Sequence, residues 1–371
     1  MTAQIRETPI NRATLTPICL NLLRGGLVIV DNIRRERQGA IGKMKPALVN
    51  AGLVLLTLAL VLVLFELYLW WEHERLLKRY VNHELCTRAS HDPRLIYEFV
   101  PGKTCGVNSL GFMDQERQFV RPSNTFRMVL IGDSIAQGQG VPRRARFGNL
   151  IETGLQARYP YRSHEVINLA RTGYSTSQEL VVLESIGMRF QPDLILWSYV
   201  LNDPAHPVFH DANGELGRYF YRPVWRGRHY VEEKWFQARE NARIAACGSE
   251  FHLLLHCAYR NQVVEEIGLL GEISARTGVP VVLLIHPLLK QNSSFSSYPF
   301  QHLHDDLRQI ASMAGLQVID LVESVQGKSP ESLSVSKAGE RYDPWHPNET
   351  GHQLFAEYLL RKLPEMGVGL E

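Results

Sequence analysis

A serine, an aspartate and a histidine form the strongest chemical pattern in the sequence. Ser134 directly follows an apolar run and the dipeptide Gly-Asp, whereas His346 stands three residues after Asp343 in the segment DPWHP. A serine hydroxyl is a poor nucleophile unless a base accepts its proton, and a carboxylate commonly orients that base. The pattern predicts nucleophilic catalysis, with Ser134 as nucleophile, His346 as its base and Asp343 as the residue that orients His346.

Each of these residues also has an ordinary structural interpretation. A serine at the end of a strand often caps the next helix. Asp343 could equally cap its own turn, and His346 could simply pack beside Trp345. The catalytic interpretation therefore depends on whether the fold brings the three side chains together.

Two further residues are candidates for stabilising an oxyanion. The backbone N–H of Gly173 and the side chain of Asn202 could donate hydrogen bonds beside the N–H of Ser134. Loss of one such donor typically costs about 3 kcal/mol in the transition state. The alternatives are a turn that needs positive φ at Gly173 and an Asx-turn at Asn202.

The elements that must position these residues alternate between short apolar runs and longer segments with helical periodicity. The apolar runs predict strands at 128–131, 166–169, 194–197, 280–285 and 318–321. The periodic segments predict helices at 147–158, 177–190, 263–277, 303–314 and 350–363. Such alternation predicts an α/β fold, a doubly wound parallel sheet with helices on both faces.

Sites in doubly wound sheets lie at the carboxyl ends of the strands. Ser134 follows the first predicted strand, Gly173 lies in the loop after the second, and Asn202 follows the third. His286 ends the fourth strand, where it could either contact substrate or be a buried structural histidine. The candidate residues are therefore expected to meet at one edge of the sheet.

Four sequence blocks in this order resemble the SGNH (GDSL-like) hydrolase superfamily, in the manner of a membrane-anchored bacterial member. The blocks are IGDSIAQGQGV, INLARTGYST, LND and DPWHPNETGH, within roughly 126–363. One departure is Val200, which stands where the family usually has glycine two residues before the asparagine. The resemblance implies a flavodoxin-like sandwich and esterase or acyl-transfer chemistry, with no metal and no organic cofactor.

The resemblance also assigns roles to individual residues. It implies that Ser134 attacks an acyl carbonyl, that His346 moves the proton, and that Asp343 orients His346. The oxyanion hole would comprise Ser134, Gly173 and Asn202. The expected function is hydrolysis of an O-acyl ester, such as an O-acetyl ester, of an envelope or exported glycan or lipid. The alternatives are O-acyl transfer to a polysaccharide by the same triad, or a non-catalytic envelope binding protein with this fold.

An uncharged apolar run lies far from these blocks, near the N-terminus. The segment ALVNAGLVLLTLALVLVLF covers 47–65, and Trp70 and Trp71 follow it. At about 1.5 Å per residue the run is roughly 28 Å long, close to the thickness of a hydrocarbon core. We expect a single uncleaved membrane span at 47–71; the alternatives are a buried core helix and a signal peptide.

The basic residues around this run predict its orientation. Five Lys or Arg residues stand at 34–45, before the run, and three stand at 75–79, after it. Because positive charge tends to remain cytoplasmic, the N-terminus is expected inside and the catalytic domain outside, in the periplasm or extracellular space.

Cysteine positions are compatible with this orientation. Four cysteines follow the predicted span, an even number in a compartment that permits disulfides. Sequence proximity favours Cys86 with Cys105 and Cys247 with Cys257, although four cysteines allow three pairings. Buried free thiols are the alternative.

The expected domain organisation follows from these elements. It comprises a cytoplasmic segment at 1–46, the span at 47–71, a stalk and lead-in at 72–125, and the hydrolase-like domain at 126–371. An insertion at about 204–262 could form a lid or substrate platform, or a merely structural helical subdomain.

The expected partners follow from the charge and from the histidines. A formal net charge of +2 gives no reason to expect a nucleic-acid partner. His252 and His256 have a spacing seen in metal sites, but we favour packing for both. His302, His304 and Asp305 are expected on a solvated helix face. An acylated small molecule, glycan or lipid and the membrane are the expected partners.

Overall fold

The computed structural model describes residues 46–80, 86–204 except 93, 96 and 103–105, single positions between 230 and 242, 245–336 and 341–371. The chain divides into two compact units, Met1–Tyr68 and Leu69–Glu371. The expected cytoplasmic segment at 1–46 therefore lies almost wholly outside the described residues, as do Cys105 and the segment 205–229 of the expected insertion.

Helix α1 runs over Pro46–Tyr80 and contains the apolar run. Its segment Leu48–Glu72 has a mean hydropathy of 2.7 and is, among the described residues, the one helix long and apolar enough to cross a membrane. The leucines and valines from Leu53 to Leu64 are largely exposed. The helix has the length and composition expected of a membrane span.

The second unit contains two sheets. Strands β1 (Thr87–Ala89) and β2 (Tyr97–Phe99) form a small antiparallel pair in the lead-in. The main sheet is parallel and comprises β3 (Thr125–Gly132), β4 (Ser163–Asn168), β5 (Leu194–Tyr199), β6 (Val281–Ile285) and β7 (Gln317–Asp320). Its strand order is β4-β3-β5-β6-β7. This order is flavodoxin-like, which agrees with the doubly wound sheet that the sequence predicted and with the sandwich that the resemblance implied.

Helices connect the strands of the main sheet, as right-handed crossovers require. Their bounds are α2 (Ser134–Gln137), α3 (Phe147–Arg158), α4 (Thr176–Ser185), α5 (Phe251–Ala258), α6 (Arg260–Thr277), α7 (Gln301–Met313), α8 (Pro330–Leu333) and α9 (Glu349–Glu365). The helix predicted at 177–190 is shorter than expected, because Gly187–Phe190 forms a 3-10 turn.

The central strands are almost continuous apolar runs because helices cover both faces of the sheet. Every residue of β3, β5 and β6 is buried. Arg127 in β3 is the charged exception, with no exposed surface. Its guanidinium donates to Glu165 and to the carbonyls of Phe119 and Gln118 at 2.6, 2.9 and 2.8 Å, so the end of the lead-in is bound to the start of the sheet.

Two side-chain predictions outside the site can be compared with the structure. Cys247 and Cys257 form the expected disulfide. Cys86 is also disulfide-bonded, while the predicted partner Cys105 lies outside the described residues. The solvated position expected for His304 is wrong: its ring is fully buried and lies 3.0 Å from the Asp320 carboxylate.

Candidate active site

The position of Ser134 follows from the way β3 ends. Gly132 has a φ of +151°, and a Cβ there would lie 2.7 Å from the Cβ of Ser198 and 2.9 Å from that of Ala136. Only glycine therefore lets the backbone turn this closely from β3 into α2. Asp133 caps α2 by accepting the Ile135 N–H at 3.0 Å. Ser134 begins the helix at the carboxyl end of β3.

The structure brings Ser134, His346 and Asp343 into one hydrogen-bonded chain. His346 Nε2 lies 3.0 Å from Ser134 Oγ, and His346 Nδ1 lies 2.7 Å from Asp343 Oδ2. A carboxylate only accepts hydrogen bonds, so Nδ1 carries the proton and Nε2 is the acceptor that faces the serine. Burial acts to raise the pKa of Asp343, but the hydrogen bonds from His346 and Trp345 outweigh it and hold that pKa below its ordinary value.

Local hydrogen bonds fix the loop that carries Asp343 and His346. The N–H of Asp343 donates to Ser336 Oγ at 2.6 Å, and Ser334 Oγ donates to the carbonyl of Asp343 at 2.7 Å. Asn348 then caps α9 by accepting the Gly351 N–H at 3.1 Å. Ser334 and Ser336 therefore fix the loop at Asp343, and the last helix begins directly after it.

A second acceptor competes for the proton of Ser134. Ser134 Oγ lies 3.1 Å from Asp133 Oδ2, almost as close as it lies to His346 Nε2. Burial raises the pKa of the Asp133 carboxyl, which has little exposed surface. Because the hydroxyl has one proton, it can be directed either to the histidine or to this carboxyl.

Gly173 and Asn202 lie after the two strands that flank β3. Gly173, after β4, has a φ of +76°, as its turn interpretation predicted. Its N–H donates no hydrogen bond to any other described residue. Asn202, after β5, is half-buried in a turn. Both residues thus belong to loops at the same edge of the sheet as Ser134.

The turn that contains Asn202 accommodates Val200 without a glycine. The N–H of Val200 donates to Asp203 Oδ2 at 2.8 Å, and the N–H of Asp203 donates back to the Val200 carbonyl at 2.9 Å. Val200 is buried and is not among the residues with positive φ. The departure from the usual glycine therefore leaves a regular, hydrogen-bonded turn at this position.

Several contributing residues could not be found from the motifs. Gln137 Oε1 accepts the N–H of Thr172 at 2.8 Å and so connects α2 to the loop before Gly173. The only signal for Gln137 in the sequence is its position one helical turn after Ser134. Ser336 and Tyr97 are separated from the motifs they contact, and no spacing rule identifies them.

His252, His256 and His286, which the sequence singled out besides the triad histidine, are buried. His286 is fully buried, with Nε2 2.8 Å from Ser198 Oγ, which favours the structural interpretation. Throughout the part of the chain that the structure describes, no three His, Cys, Asp or Glu side chains are grouped as metal ligands would be.

Comparison with known families agrees with this fold. Residues 130–354 match the model of the GDSL-like Lipase/Acylhydrolase family. Because the match covers more than half of the chain, the chain belongs to this family, and it is a hydrolase of ester bonds. The matched segment begins within β3 and ends within α9.

Solved structures with a similar fold are distant in sequence. The α/β hydrolase LAE5 from the metagenome of Lake Arreo, Spain, is 17% identical with a TM-score of 0.42, over 66% of this chain and 96% of its own. Axe2, an acetylxylan esterase from Geobacillus stearothermophilus, is 17% identical with a TM-score of 0.41, over 66% and 95%. TesA is 14% identical with a TM-score of 0.40, over 65% and 99%. No curated protein sequence matches this chain.

Proposed function

We propose that this chain is a serine esterase that hydrolyses an O-acyl ester, with Ser134, His346 and Asp343 as its catalytic triad. The observation that carries the proposal is the continuous hydrogen-bonded chain from Ser134 Oγ through both nitrogens of His346 to Asp343. A serine paired with an oriented imidazole is the arrangement that nucleophilic acyl transfer requires.

The reaction proceeds through an acyl-enzyme. Ser134 Oγ attacks the ester carbonyl while His346 Nε2 takes the hydroxyl proton, and the resulting oxyanion accepts hydrogen bonds from the N–H groups of Ser134 and Gly173 and from the Asn202 side chain. The tetrahedral intermediate then collapses, and the imidazolium protonates the departing alcohol. Water then attacks the acyl-enzyme and gives a proton to His346. When the second tetrahedral intermediate collapses, His346 returns this proton to Ser134 Oγ, and the carboxylic acid is released.

The proposed substrate class is an O-acyl ester, such as an O-acetyl ester, of an envelope or exported glycan or lipid. Support comes from the position of α1, which precedes the catalytic unit in the chain and can anchor it at a membrane surface. We propose that the catalytic domain lies outside the cytoplasm, as the basic residues at 34–45 and the Cys247–Cys257 disulfide favour. A reporter fused after Glu371 tests this orientation, and a cytoplasmic signal would overturn it.

Transfer of the acyl group to a sugar hydroxyl instead of water would use the same residues. The two reactions differ only in the acceptor that resolves the acyl-enzyme, so product analysis with and without a glycan acceptor separates them. A non-catalytic binding protein with this fold is the remaining alternative.

Labelling with a fluorophosphonate probe tests the proposed nucleophile. The full chain in detergent is labelled beside Ser134→Ala, with Ser177→Ala, a serine outside the triad, as matched control. We expect labelling of the wild type and of the control, and none of Ser134→Ala. A folded wild type that takes no label would favour the binding-protein alternative, and labelling that survives Ser134→Ala would move the nucleophile elsewhere.

A further inference from the structure

A tyrosine of the lead-in touches the loop that carries the candidate oxyanion donor. Tyr97 lies in β2 and is 6% exposed. Its hydroxyl donates a hydrogen bond to the carbonyl of Thr172, a residue 75 positions further along the chain. This carbonyl belongs to the same peptide group as the N–H of Gly173, so the tyrosine acts directly on that peptide.

Because a peptide group is planar, this contact also determines the direction of the Gly173 N–H. The bond between Thr172 and Gly173 is trans, and in a planar trans peptide the carbonyl and the N–H point in opposite directions. A hydrogen bond that fixes the carbonyl of Thr172 therefore also fixes the N–H of Gly173. Donation to the carbonyl oxygen polarises the peptide as well, which strengthens its N–H as a donor.

The tyrosine hydroxyl occupies the space beside Gly173. A Cβ added at Gly173 would lie 2.6 Å from Tyr97 Oη, which is closer than real contacts allow, but 3.8 Å from Tyr97 Cζ, which is an ordinary contact. Glycine is thus required at this position both by its φ of +76° and by the hydroxyl. The tight fit leaves the loop little freedom to rotate its peptide away.

Residues of the catalytic domain hold Tyr97 in place. The hydroxyl of Tyr174 donates to the backbone carbonyl of Tyr97 at 2.6 Å, and the two rings meet edge to face with centroids 5.3 Å apart. Gln178 Nε2 donates to the carbonyl of Leu95 at 2.7 Å. The buried guanidinium of Arg171 donates to the carbonyl of Gly111 at 2.9 Å. The lead-in is therefore fixed on the glycine loop at several points.

Residues of α2 and of β3 hold the other side of the glycine loop. The N–H of Thr172 donates to Gln137 Oε1 at 2.8 Å, and the N–H of Arg171 donates to the carbonyl of Gly132 at 3.0 Å. These contacts leave the Thr172–Gly173 peptide free to rotate about its flanking bonds only at the expense of the hydrogen bond from the Tyr97 hydroxyl.

We propose that Tyr97 is a positioning residue for the oxyanion hole, whose hydroxyl sets the direction in which the Gly173 N–H meets the acyl carbonyl. The inference rests on the proposed serine-esterase function. It extends the functional unit beyond the family motifs, because a residue of the lead-in then contributes to transition-state stabilisation through the glycine loop.

Kinetics of Tyr97→Phe test the proposal, since this change removes only the hydroxyl. The full chain in detergent is assayed with p-nitrophenyl acetate, and fluorophosphonate labelling counts active serines so that kcat refers to active sites. We expect kcat to fall about tenfold, less than the loss of a direct donor, with KM changed less than about twofold. The affinity for an aryl boronic acid, which forms a tetrahedral adduct on the serine, should fall by the same factor.

The matched control is Tyr358→Phe, which removes another poorly exposed tyrosine hydroxyl, one that donates to Glu323. This control should leave kcat, KM and boronic-acid affinity unchanged. A purely structural role for Tyr97 would lower the melting temperature or the labelled fraction while kcat per labelled serine stayed at the wild-type value, and that result would overturn the proposal.

A double-mutant cycle gives a second, independent readout. Gly173→Ala alone should lower kcat/KM by about 100-fold or more, because the Cβ meets the Tyr97 hydroxyl and the loop is displaced. With Tyr97→Phe already present, the same change should cost less than about tenfold, since the ring carbon leaves room for the Cβ. Simple multiplication of the two single effects would overturn the coupling. A folded wild type without any labelling would instead overturn the proposed function and this inference with it.

Discussion

The carboxylate of Asp343 holds His346 through both of its oxygens. Oδ2 lies 2.7 Å from the ring nitrogen Nδ1, while Oδ1 accepts the backbone N–H of His346 at 3.0 Å and that of Trp345 at 2.9 Å. The carboxylate that caps the turn is thus also the group that sets the tautomer of the histidine. The two interpretations that the sequence left open for Asp343 are both realised in one side chain.

Replacement of this carboxylate by an amide should separate the two roles. In Asp343→Asn the amide oxygen can keep the turn, while its NH2 group faces Nδ1 and favours the tautomer with the proton on Nε2. That nitrogen can then no longer accept the proton of Ser134, so kcat/KM should fall by roughly 10³–10⁴. Ester hydrolysis and the melting temperature are measured together. An amide variant with nearly full activity would contradict the assignment of Asp343.

Asn202 is expected to contribute to the oxyanion hole through its side chain. Asn202→Ala should lower kcat/KM by about 10²-fold, mainly in kcat, because a donor to the developing charge is lost. The control is Asn261→Ala on the exposed surface of α6, which should have no effect. If Asn202→Ala raised only KM, the side chain would bind the ground state and would not belong to the oxyanion hole.

We expect the side chain of Val200 to stabilise the folded protein, and not to be a neutral replacement for the glycine that is usual in the family. The side chain is buried, and the turn it belongs to has no position that needs positive φ. Val200→Gly should therefore lower the free energy of unfolding by about 2 kcal/mol through lost packing and added chain entropy. Denaturant unfolding measures this change. We expect kcat/KM to change less than about twofold, and a large gain in activity would show that the valine restricts the site.

A buried histidine should make the stability of the fold sensitive to acid. Burial, together with the charges of Arg146 and His346, lowers the pKa of His352 from 6.5 to about 3. Between these values the unfolded chain binds a proton that the folded chain does not, so stability is full above about pH 6.5 and is lost as the pH falls. The free energy of unfolding should decrease by up to about 1.4 kcal/mol per pH unit from this residue.

Measurement of the free energy of unfolding between pH 7 and pH 5 tests this dependence of stability on pH. His352→Phe removes the titrating group, so the slope of stability against pH should become smaller by up to about 1.4 kcal/mol per pH unit, whatever its effect on absolute stability. His302→Gln replaces an exposed histidine and serves as the control for the substitution itself. An unaltered slope in His352→Phe would assign the acid sensitivity to other groups.

The sequence by itself determined the main sheet, the order of its elements and the residues of the candidate triad. The strands could be predicted because β3, β5 and β6 are apolar runs that two helix layers must cover, and the helices because their apolar residues recur at helical spacing. Ser134 and His346 could be predicted because each stands beside a local signal, a glycine after a strand or a carboxylate three residues away.

Only the tertiary structure decided which distant residues complete the site. The contact between Tyr97 and the Thr172–Gly173 peptide joins positions in separate elements, and neither residue type at its own place indicates the other. The competition of Asp133 with His346 for one proton, and the burial of His304 against Asp320, likewise depend on distances that no periodicity encodes. Local patterns fix which element a residue belongs to, whereas long-range packing fixes which side chains meet, because that packing is set jointly by all the layers of the fold.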